Sequence, residues 1–217
     1  FRECISWSLI SSYSIAFRYK PKGFIFDIAG MSCFASSNIP LKYLLALNNS
    51  CLISKIMLML APTINYQSGN IANIPVIYDE EKSKEIIDLV DENILLAKND
   101  WDAYETSWDF KSDPICNLRN KYHSISEAYE YLKSQVNHLY DKLRENEMAL
   151  NKLMLDVYGL AGEISTAVSR RDVSHTFIYD TKEEITDDIR ESYYVRTKSD
   201  IIRNFMQYAI GVISVSY

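Results

Sequence analysis

The chain has 217 residues, enough for one large or two small domains, and at 47% hydrophobic and 24% charged it has the composition of a folded chain rather than a disordered one. The longest apolar runs, such as residues 56–61, are far too short to cross a bilayer, so no membrane partner is expected. The net charge of −6 speaks against a polyanion as partner, but it is unevenly placed: residues 1–77 hold six bases (Arg2, Arg18, Lys20, Lys22, Lys42, Lys55) and two acids (Glu3, Asp27), a local balance of +4.

Four cysteines (Cys4, Cys33, Cys51, Cys116) have no paired spacing, and three histidines (His123, His138, His175) are far apart. That usage fits a reducing cytoplasm and argues against both a disulfide framework and a zinc site, so no metal is expected. The chain opens at Phe1 without a signal-peptide pattern and stops at Tyr217, straight after the apolar stretch 208–215. A fragment of a longer protein, of cytoplasmic localisation, is the expectation.

In chain order, the alternating residues Ile5, Trp7, Leu9, then Ile15, Phe17, Tyr19, then Phe24, Phe26, Ile28 predict strands. Lys20-Pro21-Lys22-Gly23 is a turn by composition, so residues 14–29 are expected to form a β-hairpin with Arg18, Lys20 and Lys22 at its tip. Bases interleaved with aromatics suit a nucleic-acid contact, and equally a solvated hairpin with an aromatic inner face. Residues 40–60 carry a broad apolar face (Leu41, Leu44, Leu45, Ile53, Ile56, Met57, Leu60) and predict one helix, stopped by Ala61-Pro62. A short loop and a strand ending at Pro75 follow. Asn65 and Gln67 are side chains that can pair bidentately with adenine, or simply bond the backbone of their own turn.

Two long helices come next. Ile87, Val90, Ile94, Ala97 and Trp101 repeat at 3-4-3-4 behind an acidic start at Asp79, Glu80 and Glu81. Ile125, Tyr129, Leu132, Val136, Leu139, Leu143, Leu150, Leu153 and Val157 keep a 4-3-4-3 heptad spacing, broken by a polar residue at Asn146. Such a helix reaches roughly 50 Å. An antiparallel pair of helices at about 80–101 and 124–158 is expected; two ordinary bundle helices is the alternative, and self-association through Ile125–Val157 is the partner such a seam suggests. Asn146 either fixes register or lies exposed. Between the helices, Trp101, Tyr104, Trp108 and Phe110 suggest an aromatic plug, while Asp102, Glu105 and Asp109 sit at helical spacing that a carboxylate site could also use. Further on, Arg170-Arg171 could meet phosphate or face solvent, residues 176–179 suggest a short strand, and Thr197 with Asp200 opens a last helix at about 198–214 whose apolar face is Ile201, Phe205, Met206, Ala209, Ile210 and Ile213.

Several stretches together resemble a known family. Leu44-Leu45-Ala46-Leu47-Asn48-Asn49-Ser50, then Pro62-Thr63-Ile64-Asn65-Tyr66-Gln67-Ser68-Gly69-Asn70-Ile71 and Ile74-Pro75 before a long helix, resemble the end of a target recognition domain. With Ala16-Phe17-Arg18-Tyr19, Gly23-Phe24-Ile25-Phe26-Asp27, Trp101-Asp102-Ala103-Tyr104-Glu105-Thr106-Ser107-Trp108-Asp109-Phe110, Leu150-Asn151-Lys152-Leu153, Val157-Tyr158-Gly159-Leu160 and Tyr208-Ala209-Ile210-Gly211, the chain looks like the C-terminal region of the BREX-type, type IIG-like adenine-specific DNA methyltransferases. The resemblance implies an α+β chain: part of a small mixed β/α recognition head (1–78), a long antiparallel helical pair as spacer arm (79–158), and a C-terminal helical segment (159–217). It also implies that this fragment reads double-stranded DNA for a restriction-modification or phage-defence system. Methyl transfer from S-adenosylmethionine to the adenine amine would occur in an upstream domain of the same parent chain.

The family's Asn/Asp-Pro-Pro-Tyr/Phe tetrapeptide is absent: Asn73-Ile74-Pro75-Val76 lacks the second proline and the stacking aromatic, and Gly159-Leu160-Ala161-Gly162 suits a helix stop better than a cofactor loop. No catalytic residue and no cofactor are therefore expected within the fragment. The DNA-binding candidates are Arg18, Tyr19, Lys20, Lys22, Asn65, Tyr66 and Gln67. The alternative is a helical scaffold that binds a protein through the heptad seam and ignores DNA.

Overall fold

The computed structural model describes residues 2–12, 14–35 and 38–215. The fold is mixed α+β, and the chain divides into two compact units that interleave in sequence: Phe1–Ile94 with Asn146–Ala167, and Leu95–Glu145 with Val168–Tyr217. The division falls inside both long helices, so each contributes residues to both units.

In the first unit, β1 (Cys4–Ser8) is the central strand, with β2 (Arg18–Lys20) and β3 (Gly30–Cys33) antiparallel on its two sides. Ile5 stands opposite Tyr19 and Cys33, and Trp7 opposite Met31. All five of these residues belong to the apolar core that includes Tyr43, Leu47, Ile53 and Met57. Because side chains alternate along a strand, Arg18 and Lys20 take the opposite face, in register with Ser6 and Cys4.

This arrangement corrects the predicted hairpin. Residues 24–28 form no strand, and the partner of β2 is β1. The alternation fails at Asp27, whose Oδ1 accepts the amides of Ala29 at 2.8 Å and Gly30 at 3.1 Å, an Asx turn that launches β3 instead.

The predicted helix over 40–60 is two helices, α1 (Leu41–Asn48) and α2 (Cys51–Leu60), bent by 70°. Apolar spacing continues through the break, but the polar residues there choose other partners. Ser50 Oγ accepts the Ile53 amide as an N-cap, and Asn151 Oδ1 accepts the Cys51 amide at 2.8 Å. The strand expected before Pro75 is likewise a short helix, α3 (Ser68–Ala72), opened by the Gln67 amide donating to Asn70 Oδ1 at 3.0 Å. Among the described residues no single helix is long and apolar enough to cross a membrane.

The long helices are α4 (Glu80–Asp102) and α6 (Ile125–Val157). Asp79 Oδ1 accepts the Lys82 amide at the start of α4, and Ser124 Oγ accepts that of Glu127 at the start of α6. Within the first unit, Ile86 and Val90 share a core with Leu150, Met154 and Leu155. Within the second, Leu96 shares one with Tyr140 and Leu143. The start of α4 thus shares a core with the end of α6, and the later Leu96 shares one with earlier residues of α6, the antiparallel order that the heptads predict. α6 ends in a Schellman motif: the Leu160 amide donates to Leu155 O at 2.9 Å, that of Gly159 to Asp156 O at 3.2 Å, and Gly159 takes φ 66°.

The second unit adds a short helix α5 (Pro114–Asn117), two parallel strands β4 (Phe177–Tyr179) and β5 (Val195–Thr197), and α7 (Lys198–Val215). Asp200 Oδ2 accepts the Thr197 amide at 2.8 Å and its hydroxyl at 2.7 Å, which fixes the start of α7 at the predicted place. The aromatic plug is only half formed. Tyr104 donates to or accepts from Thr176 Oγ1 at 3.0 Å and Phe110 packs edge-on to Tyr208, whereas Trp101 is half exposed and Trp108 fully so. Arg170 does not wait for phosphate: it bonds Tyr179, Thr186 and Asp188 and lies over the Phe177 ring, and Arg171 pairs with Glu191 at 2.8 Å.

Candidate nucleic-acid interface

β2 is an edge strand, and the sequence places bases at both ends of it. Arg18 is exposed, Lys20 half-buried, and Lys22 exposed two residues beyond the strand. The strand is clamped from behind. Asn49, at the α1–α2 break, accepts the Phe17 amide on Oδ1 at 2.9 Å and donates Nδ2 to the Phe17 carbonyl at 3.0 Å. Phe17 itself is buried against Trp7, ring centroids 5.5 Å apart. Arg18 thus leaves a fixed backbone.

The two acids of residues 1–77 are both engaged. Tyr19 donates its hydroxyl to Glu3 Oε2 at 2.7 Å, and this bond to the carboxylate, with some burial, pushes the phenol up to about 12. Asp27 is held by its turn. Of the bases, Lys42 pairs with Asp91.

The turn carrying Asn65, Tyr66 and Gln67 is stitched to the continuation of β1. The Ser11 amide donates to Ile64 O at 3.0 Å, the Tyr66 amide to Leu9 O at 2.7 Å, and Ile10 faces Asn65. Asn65 and Gln67 are exposed, whereas Tyr66 is buried in the core and accepts the Trp7 indole N–H on its carbonyl at 2.9 Å. The side chain of Tyr66 therefore packs, and the two amides flanking it face outward. Arg18 is opposite Ser6 and Asn65 opposite Ile10.

One feature escaped the sequence pattern. Phe24 and Ile28, expected on one face of a strand, are exposed in the loop of residues 21–29, as is Ile25 between them. Gly23, at φ 109°, and the Asx turn at Asp27 are the sequence signals that could have shown a loop.

The competing chemical sites have structural occupations. Asp102 and Asp109 share Lys98 Nζ at 2.5 and 2.6 Å, and Ser107 donates to Asp102 at 2.7 Å, so both carboxylates are engaged by one lysine. Asn73-Ile74-Pro75-Val76 buries Ile74, and the Pro75 carbonyl accepts the Tyr158 hydroxyl at 2.6 Å. Among the described residues no group of three His, Cys, Asp or Glu side chains could hold a metal ion.

The second unit contains a cavity of about 370 Å³, lined largely by apolar residues including Phe110, Leu132, Val136 and Ile201. Its polar end is Asp100, buried, which accepts the Thr176 amide at 3.0 Å and hydroxyl at 3.1 Å and lies 3.8 Å from His175 Nδ1. Burial pushes the Asp100 carboxyl above its ordinary range, opposed by His175 and the Thr176 bonds.

No protein-family profile matches the chain. Among curated proteins it is 32% identical over 177 residues, 80% of this chain, to the adenine-specific methyltransferase PglX of Lacticaseibacillus casei (strain Zhang). It is 28% identical over 215 residues, 97% of this chain, to the adenine-specific methyltransferase BrxX of Escherichia coli O9:H4 (strain HS). These methyltransferases are homologues of the chain, which spans only 15% and 17% of their respective lengths.

Proposed function

We propose, starting from its homology to adenine-specific methyltransferases, that this chain is a DNA-recognition part of such an enzyme, serving a BREX-type restriction or phage-defence system. What carries the reading is the face of β2: Arg18 and Lys20 lie on the side of the sheet turned away from the core, in the one third of the chain with a positive balance. Arg18, Lys20 and Lys22 would hold phosphates of double-stranded DNA and set its position. Asn65 and Gln67, on the turn bridged to Ile10, would reach base edges, since a side-chain amide matches the donor and acceptor of adenine in the major groove. Tyr19 serves by fixing Glu3 away from the phosphates rather than by contact. N6-adenine methylation with S-adenosylmethionine would belong to another domain of the parent protein, which acts on the DNA that this part positions.

The test is duplex binding by the chain as a function of salt. Replacing Arg18, Lys20 and Lys22 together with Ala should lower affinity and reduce the slope of log affinity against log salt by up to about three. A parent enzyme that methylates the same sites equally well after the triple substitution would overturn the assignment.

A second reading, a helical scaffold for a protein partner, is favoured by α7, where Met206, Ile210 and Ile213 are exposed. Sedimentation separates the two. A dimer abolished by polar substitutions at Ile210 and Ile213, with no duplex binding, would support the scaffold.

A further inference from the structure

The loop between β2 and β3 turns its apolar side chains outward: Ile25 is 82% exposed, Ile28 75% and Phe24 49%. Water contact over so much apolar surface is unfavourable unless something covers it in function. The loop is nevertheless held in shape. Gly23 provides the positive φ at its start, Phe26 stacks edge-on to Phe34 at 5.6 Å, and Asp27 ties down two amides at its end. Phe24 and Ile25 are thus presented by a braced turn.

The charges around the loop select its occupant. Arg18, Lys20 and Lys22 lead into it, and Arg2 lies over the Phe34 ring at 5.6 Å, while Glu3 is bonded to Tyr19 and Asp27 is committed to its turn. An apolar tip within a cationic rim complements a partner that is anionic outside and apolar within. Duplex DNA is such a partner, with phosphates outside and stacked bases inside. Phe and Ile are among the side chains that enter base steps as wedges, and the unstacking they cause is compensated by contacts to the bent duplex.

We propose that Phe24 and Ile25 form a wedge that inserts between stacked base pairs of duplex DNA while Arg18, Lys20 and Lys22 hold the flanking phosphates. The inference rests on the DNA-recognition reading above and adds to it a deformation of the DNA.

A wedge unwinds the duplex wherever it enters, so the target sequence need not be known. Closed circular plasmid is relaxed by a type I topoisomerase in the presence of the chain, and the topoisomer distribution is read after the protein is removed. The wild-type chain should shift the distribution in the direction of unwinding. The F24S/I25S variant should bind the plasmid within about twofold of wild type, because phosphate contacts dominate affinity, and produce no shift. The substituted side chains are on the surface, and the thermal unfolding curve of the variant serves as the control for its fold.

If the wild-type chain binds and leaves the linking number unchanged, or if F24S/I25S shifts it equally, the wedge is overturned and the DNA reading stands. If the wild-type chain binds no DNA, both fall. If F24S/I25S abolishes self-association, or binding to phosphatidylglycerol vesicles, and leaves the plasmid result unchanged, the loop belongs to that other occupant and the wedge is likewise overturned.

Discussion

Asn146 donates its side-chain amide to Asn93 Oδ1 at 2.9 Å from a position of α6 where the heptad asks for an apolar residue. The same amide reaches Glu92 Oε2 at 2.8 Å, and Asn146 is buried. Of the two sequence readings, register-setting and accidental exposure, the burial fits the first. Asn146→Ala removes both bonds and leaves the acceptors on α4 without them. A loss of about 2 kcal/mol follows for bonds that include a carboxylate acceptor, measured as a lower urea midpoint. Asn146→Leu should recover part of that loss through packing, since the position lies in an apolar seam.

The Asn49 clamp predicts a linked structural and functional effect. Asn49→Ala removes two bonds to Phe17, directly before the strand that carries Arg18 and Lys20. The Phe17 amide should then exchange its hydrogen roughly tenfold faster, and duplex affinity should fall without any change of charge. Exchange that stays at the wild-type rate would mean that packing of Phe17 alone holds the strand.

Asp100 predicts the direction of a pH dependence. Its carboxyl is raised in the folded state, so the unfolded chain gives up this proton first as pH rises. The folded state then holds the extra proton, and this group's contribution to stability is present at low pH and declines as pH rises through the folded pKa. His175, Thr176 and Arg196 oppose the shift, and burial dominates it. Asp100→Asn keeps an acceptor for Thr176 and removes the titration. Urea midpoints from about pH 4 to about pH 8 should therefore fall for wild type relative to the variant.

Gly159 should tolerate no side chain without strain. It has open space around a built Cβ, but φ is 66°, so Gly159→Ala should cost about 1 kcal/mol through the backbone alone. Thermal unfolding compared with Gly69→Ala, also in open space and without the positive φ, isolates that term.

The two long helices were legible in the sequence because an uninterrupted period of three and four, with no Gly or Pro inside, leaves few alternatives. The α1–α2 break was not, because the apolar spacing runs straight through it. The local cap at Ser50 is joined by Asn151 on a distant helix, which accepts the Cys51 amide. The 24–28 alternation misled because β2 pairs with β1 rather than with these residues, and Asp27 turns the chain into β3. At the candidate site, the alternation of Ile15, Phe17 and Tyr19 pointed to a strand, and residues 18–20 form one, with Arg18 exposed and Lys20 half-buried. Tyr66 differs from its neighbours only by burial, which a turn-like composition does not reveal.

The bond between Cys51 and Asn151 closes a separation of 100 residues, and the first unit is assembled from two stretches that lie either side of an insertion. During synthesis its opening portion leaves the ribosome long before its closing portion exists. At about 5–20 residues per second the interval is about 5–20 s. Throughout that time the inner surfaces of α1 and α2 lack Leu150, Met154 and Leu155, and their apolar faces stay uncovered until the end of α6 arrives.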